Sequence, residues 1–234
     1  MNMDKDKKIV ALLPMKANSE RIKGKNFNNF CGKPLFRWVL DTLLGVERID
    51  TVIINTDARS VLAENGLLDS DRVLLRDRPQ EICGDLVSMN LIIENDVENV
   101  AADVYLMTHT TNPLLSVSSI EKALDQYFCH LEQGNDSLFT VNKIQTRFYD
   151  EACRAINHDP ENLIRTQDQT PWFEENSNLY IFSKESFLKS KARIGRNPTM
   201  LVTDPYESSD IDTLSDWELA EAITTFYIGK GKMK

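Results

Sequence analysis

Apolar residues along the chain fall into short unbroken runs, separated by longer stretches in which they recur at every third or fourth position. The runs at residues 9–13, 51–55, 73–75, 104–107, 137–141, 179–182 and 200–202 predict strands. The first of them, IVALL, is apolar at every position rather than at alternate ones, which predicts a strand buried on both faces of a largely parallel sheet. Between the runs, residues 34–44 carry Leu35, Trp38, Val39 and Leu43 at helical spacing and end at Gly45, which suits a C-cap. Two capping-box patterns, Ser118-x-x-Glu121 and Ser215-x-x-Glu218, predict two further helices. Strands alternating with helices predict an α/β domain. Residues 143–178 break this rhythm. They are polar, rich in Arg, Gln and Asp, and contain Pro160 and Pro171, so they predict an inserted lid or arm.

Length and composition set bounds on this picture. The chain has 234 residues, of which 41% are hydrophobic, enough for one full core. No apolar run approaches the roughly 18 residues that span a bilayer, and the charged start MNMDKDKKIV predicts no leader. Cys31, Cys83, Cys129 and Cys153 are scattered, without a C-x-x-C pair, and predict reduced thiols in a cytoplasmic protein. The formal charge of -9 disfavours nucleic acid as a partner and makes local basic clusters the informative ones.

One such cluster follows the first strand. After Pro14 come the turn formers Asn18 and Ser19, then Gly24, with Lys16, Arg21, Lys23 and Lys25 distributed among them. A loop at the carboxyl end of a buried strand is where open α/β sheets bind ligands, and four cations there predict an anionic one. A solvated basic turn accounts for the same residues. Neither a Walker A sequence nor a G-x-G-x-x-G fingerprint is present, so the phosphate chemistry belongs to another class.

Further downstream, Asp210-Ile211-Asp212 places two carboxylates on one side of an extended segment, a spacing that suits Mg²⁺. The start of a helix, which favours acidic residues, explains Asp212 equally well but not Asp210. His109, just after the 104–107 strand, suits contact with a base or ribose, or a loop histidine satisfied by backbone. Arg165 and Gln167 suit recognition of a carboxylate and hydroxyls; pairing of Arg165 with an acid of the insertion is the alternative. No Gly-x-Ser-x-Gly is present, and no cysteine has a nucleophile's context, which disfavours covalent catalysis.

Taken together, LLPMKANSERIKGKN, GKPLFRWVLDTLL, VIINTDARSVLAENG, LMTHTTNPLL, RTQDQTPWFEENSNLYIF and ESSDIDTLSDWELAE resemble the cytidylyltransferases that activate acidic nine-carbon and eight-carbon sugars, the acylneuraminate and octulosonate group. The likeness runs nearly end to end, and block order and spacing favour the acylneuraminate branch. It implies a three-layer, Rossmann-like α/β nucleotidyltransferase fold with a mostly parallel sheet, formed by one domain over residues 1–234 with a small dimerisation arm at 143–178. It further implies a homodimer, CTP and a sugar acid as substrates, Mg²⁺ or Mn²⁺ as cofactor, and no nucleic-acid or membrane partner.

Position by position, the resemblance puts Lys25 on the family's catalytic lysine and Asn26 on its neighbouring nucleotide-binding asparagine. Lys16, Ser19 and Arg21 fall on phosphate-approaching positions, Asp85 and Ser88 on the stretch that reads cytidine, and His109 on a nucleotide-side position. Arg165, Gln167 and Asn176 fall near the sugar, and Asp210 and Asp212 on the magnesium pair, with Asp212 also in catalysis. The chain departs from the family pattern at four places. Lys16 stands for an arginine, His109 for a glutamine, Leu115 for an arginine and Ser177 for a glycine. The implied reaction is transfer of CMP from CTP to the anomeric hydroxyl of a 2-keto-3-deoxy sugar acid, with pyrophosphate released. Transfer to another sugar acid, or to a sugar or polyol phosphate, and a non-catalytic nucleotide-binding relative are the alternatives.

Overall fold

The computed structural model describes residues 7–17 and 19–231; Asn18, read above as a turn former, lies outside them. In chain order the elements are β1 (Ile9–Leu12), the short hairpin strands β2 (Asn29–Phe30) and β3 (Lys33–Pro34), α1 (Leu35–Leu44), β4 (Thr51–Thr56), α2 (Arg59–Glu64), β5 (Val73–Asp77), α3 (Met89–Asn99) and β6 (Val104–Met107). They continue with α4 (Val117–Leu131), β7 (Ser137–Ile144), β8 (Trp172–Phe182), α5 (Lys184–Ser190), β9 (Pro198–Val202) and α6 (Leu214–Gly229).

Seven strands make one sheet in the order β5-β4-β1-β6-β8-β7-β9. The first four are mutually parallel, β8 runs against both neighbours, and β9 is parallel to β7. Both faces of β1 are covered, as its continuous apolar sequence demands. Ile9 and Ala11 pack in a cluster with α1, α2 and α4 residues such as Phe36, Leu62 and Leu124. Val10 and Leu12 face the other way, toward Ile93 and Val97 of α3 and Phe187 of α5. The result is the three-layer α/β architecture expected from the sequence.

A third, smaller cluster positions the site. Ile22 and Phe30 from the loop and hairpin after β1 pack with Leu35 and Trp38 of α1, Ile211, and Ala220 of α6. Phe30 is wedged edge-on between Trp38 and Trp217. The basic loop and the Asp-Ile-Asp segment, almost 190 residues apart in sequence, thus share one hydrophobic anchor.

Three expectations need correction. The helix predicted from Ser118 starts earlier: Ser116 is its N-cap and accepts from the Ser119 amide at 3.1 Å. The box predicted at Ser215 sits at Thr213, whose hydroxyl accepts from the Asp216 amide at 3.3 Å while the Asp216 carboxylate accepts from the Thr213 amide at 2.7 Å. Asp serves as the N3 acid just as Glu does, which the Ser-x-x-Glu pattern overlooks. Finally, residues 143–178 are not irregular throughout. The paired ends of β7 and β8, Ile144 with Trp172 through Asn142 with Glu174, extend past the sheet as a ribbon. Trp172 to Glu175 are exposed, so this stretch lacks the apolar signature of a core strand.

Candidate active site

The chain leaves β1 toward β4 and β5 on one side and later returns to β6 on the other, so the strand order reverses between β1 and β6. Loops diverge at such a point and open a crevice at the carboxyl ends of the strands. A cavity of about 300 Å³ lies there. Of the residues expected at the site, Lys16, Ser19, Arg21, Lys25, Asn26, Asp85, His109 and Asp212 line it.

The delivery of Lys25 follows from its local sequence. Gly24 adopts φ 65°, a left-handed conformation that suits glycine, and turns the chain into the short 3-10 turn Lys25–Phe27. This directs Lys25 inward, where it is 8% exposed. A buried ammonium needs partners. Its Nζ donates to the Ile211 carbonyl at 2.5 Å and stands 3.5 Å from Asp212 Oδ1. Arg21 Nη1 approaches the other carboxylate oxygen of Asp212 at 3.0 Å. Asn26 ties the same loop down by donating to the Lys16 carbonyl at 3.1 Å and accepting from Thr110 at 2.7 Å. Lys16 and Asp85, both in the lining, form a close ion pair.

Ile211 explains the carboxylates on either side of it. It is fully buried, and its amide donates to the Thr111 carbonyl at 2.9 Å, so the segment is held by its middle residue. Asp212 lines the cavity while remaining half exposed. Asp210 keeps exposed surface, yet its pKa is raised, chiefly by local desolvation and then by the charge of Asp212, against a hydrogen bond from Thr111 and the charge of Lys25. Among the described residues no cluster of three or more His, Cys, Asp or Glu could chelate a metal alone. Two hard carboxylates whose like charges oppose one another still fit Mg²⁺, which is commonly held by one or two carboxylates plus substrate phosphates.

His109 lines the cavity next to Thr110. Burial, with Arg193 and Lys25 nearby, lowers its pKa to about 4, so it is neutral at physiological pH. Arg193 Nη1 is 3.4 Å from His109 Nε2, an approach that requires this ring nitrogen to accept. Arg193 belongs to a second cavity of about 280 Å³, lined also by Ser88, Met89, Asn90, Glu175, Ala192 and Ile194. Met89 lines both cavities. Ser88 therefore sits beside the larger cavity rather than in it, and its hydroxyl caps α3 by accepting from the Asn90 amide at 3.3 Å.

The sugar-side residues are dispersed. Asn176 is 8% exposed and donates to Thr203 at 2.7 Å and to Asn142 at 3.0 Å, which stitches β8 to its neighbours. Arg165 and Gln167 lie on the excursion between β7 and β8, outside the lining of either cavity. Arg165 is paired with Asp168 through Nε at 2.6 Å and Nη2 at 3.1 Å. Ser177 takes φ 56°, a left-handed backbone conformation that favours glycine.

Sequence reasoning missed Arg78 and Arg193. Arg78 lines the larger cavity, with Nη2 donating to the Met15 carbonyl at 3.1 Å and Nε donating to Asn55 at 2.9 Å; burial lowers its pKa. The available signal was its place just past the end of β5, at the carboxyl edge.

The family model for cytidylyltransferases matches residues 10–230. The chain belongs to the cytidylyltransferase family. Among its relatives is the pseudaminic acid cytidylyltransferase of Campylobacter jejuni, 22% identical over 227 residues that cover 92% of this cytidylyltransferase and 96% of the relative. Another is the CMP-N,N'-diacetyllegionaminic acid synthase of Legionella pneumophila, 24% identical over 232 residues with the same coverage of each chain. The fold matches that of a CMP:2-keto-3-deoxy-manno-octonic acid synthetase solved in complex with CTP, at a TM-score of 0.65 and 15% identity, over 94% of this chain and 99% of that one. No helix among the described residues of this cytidylyltransferase is long and apolar enough to cross a membrane.

Proposed function

We propose that this cytidylyltransferase transfers CMP from CTP to the anomeric hydroxyl of a 2-keto-3-deoxy sugar acid, a nonulosonate of the sialic acid type, and releases pyrophosphate. The observation that carries this reading is the convergence, in one cavity at the strand-order reversal, of buried Lys25 with Asp212 and the basic loop after β1. The activities named for the Campylobacter and Legionella relatives support the acceptor class.

The hydroxyl oxygen forms a bond to the α-phosphorus as the bond to the β-phosphate bridge oxygen breaks, and the hydroxyl proton is released. No covalent enzyme intermediate is needed. Positioning and charge neutralisation are then the protein's work. Lys25 and Lys16 neutralise the departing pyrophosphate, while Ser19 and Arg21 hold the loop on the phosphates. Triphosphate binding exchanges the present pairs, Lys16 with Asp85 and Arg21 with Asp212, for contacts with the ligand. Asn26 and His109 then serve the nucleotide from the same wall, with Asp85 and Ser88 on the side of the base. Asp210 and Asp212 would hold Mg²⁺, or Mn²⁺ in its place, and the ion would supply added charge neutralisation at the phosphates.

Arg165 and Gln167, on the excursion, act on the outer part of the sugar of a second copy in a homodimer. Support for that assembly comes from large apolar side chains exposed on the excursion and ribbon, Tyr149, Ile156, Leu163, Trp172 and Phe173. A monomer mass by light scattering at micromolar concentration would remove this part of the reading. The activity itself is tested by pyrophosphate release from each of four nucleoside triphosphates with sialic, legionaminic, pseudaminic and octulosonic acids. CTP with at least one nonulosonate is the expected pair. Silence across the panel with CTP still bound would favour a non-catalytic binding protein.

A further inference from the structure

We infer that Arg193 holds the carboxylate of the acceptor, in the smaller cavity and from the same chain that binds the nucleotide. This rests on the acceptor class proposed above. In a cyclised 2-keto acid the anomeric carbon carries both the attacking hydroxyl and the carboxylate. The carboxylate is therefore within a few ångströms of the reacting oxygen, and its receptor must stand at the edge of the nucleotide cavity.

Arg193 occupies that place. It lines the smaller cavity, and its Nη1 reaches to 3.4 Å from Nε2 of His109, which lines the larger one. Its guanidinium carbon lies 4.0 Å from the centre of the Tyr180 ring, and Nη2 is 3.2 Å from Glu175 Oε1. The stack and the ion pair fix the plane of the fork before any ligand arrives, which reduces the ordering cost of bidentate binding. The side chain is only 21% exposed, so a charge-assisted bond formed there is less screened than one at the open surface. His109 is held neutral beside it, so the one carboxylate on the fork is that of Glu175, which the acceptor would displace from Nη2.

Arg165 lacks these properties. Its side chain is 72% exposed, and Asp168, three residues along the same exposed segment, is the partner that holds it. The sequence favoured Arg165 because it stands in a polar run with flanking amides. Arg193, between α5 and β9, has no such local company, and only the fold brings it to His109.

The test is steady-state kinetics with a sugar acid that the wild-type enzyme uses and with its methyl ester, on wild type, Arg193→Ala, Arg193→Lys and Arg165→Ala. Arg193→Ala is expected to raise the acceptor KM about 10- to 100-fold, the range of a charged hydrogen bond, with the KM for CTP within about twofold of wild type. It should also lose the preference for acid over ester. Arg193→Lys should recover part of both, and Arg165→Ala should retain the preference. If the alanine variant does not fold, the lysine variant reports the same acid-to-ester ratio. An active wild type whose Arg193 variants keep the acid KM and the acid preference overturns the Arg193 assignment alone. A wild type that transfers CMP to no sugar acid overturns the proposed function, and this assignment with it.

Discussion

An ammonium group is among the costlier things to bury, and Lys25 is accommodated because the Ile211 carbonyl and the Asp212 carboxylate both face it. His109 shows the opposite solution, since burial beside cations keeps its imidazole neutral. Its native pKa of about 4 lies below the ordinary 6.5, so between those values the unfolded chain takes up a proton that the folded one refuses. Stability contributed by neutral His109 is thus complete above pH 6.5 and lost as pH falls toward 4, by at most about 3 kcal/mol. Buried Asp96 acts oppositely. Desolvation raises its pKa from 3.8 to about 6, so its contribution is lost as pH rises through that window. His109→Gln is therefore expected to lose less stability than wild type between pH 7.5 and 5, and urea midpoints at the two values measure it. An unchanged drop would mean that His109 titrates normally. At this scale the place of Lys25 in the crevice was legible, because its block has a recognisable pattern. Arg78 and Arg193 were not, because each is useful only through contacts that the fold makes over long sequence separations.

The elements that carry the site are short, and their anchors matter more than their lengths. The hairpin of β2 and β3 and the start of α6 meet around Phe30 and Ile211, which sets the distance between the cationic loop and the carboxylates. Asp216 is the pivot at the helix end, since its Oδ2 accepts from the amides of both Thr213, at 2.7 Å, and Asp212, at 3.1 Å. Replacing it by alanine should cost about 1 kcal/mol of stability through loss of the capping box. It should also raise the Mg²⁺ concentration needed for half-maximal turnover, because the Asp212 backbone loses a tether. Thermal melts and a magnesium titration measure the two effects, and a stability loss with an unchanged magnesium requirement would confine Asp216 to helix capping. Every core strand was legible from its apolar run to within a few residues at each end. The ribbon was not, because Trp172 to Glu175 are exposed in succession and show no alternation of buried and exposed positions, and the true caps were displaced because Ser, Thr and Asp crowd both helix starts.

At the scale of the molecule, a sheet whose strand order reverses between β1 and β6 gathers residues from four loops into one crevice. The net charge of -9 and the cationic crevice are compatible because acidic side chains, Asp85 and Asp212, already pair with the cations that a triphosphate would take. The likeness to acylneuraminate and octulosonate enzymes fixed the fold class and the family from sequence. The acceptor was less legible, since the cavity proposed for its carboxylate is assembled from α3, β8 and the segment after α5, none of which marks it alone. The central claim is that this crevice joins CMP to a sugar acid, with Lys25 stabilising the departing pyrophosphate. Its most direct test is product mass spectrometry with parallel pyrophosphate assay on wild type and Lys25→Met, given CTP, Mg²⁺ and the nonulosonate panel. Wild type should yield a CMP–sugar acid conjugate in equal amount to pyrophosphate, and Lys25→Met should lose at least about 100-fold in turnover while still binding CTP. Pyrophosphate without conjugate, or near-normal turnover by Lys25→Met, would contradict it.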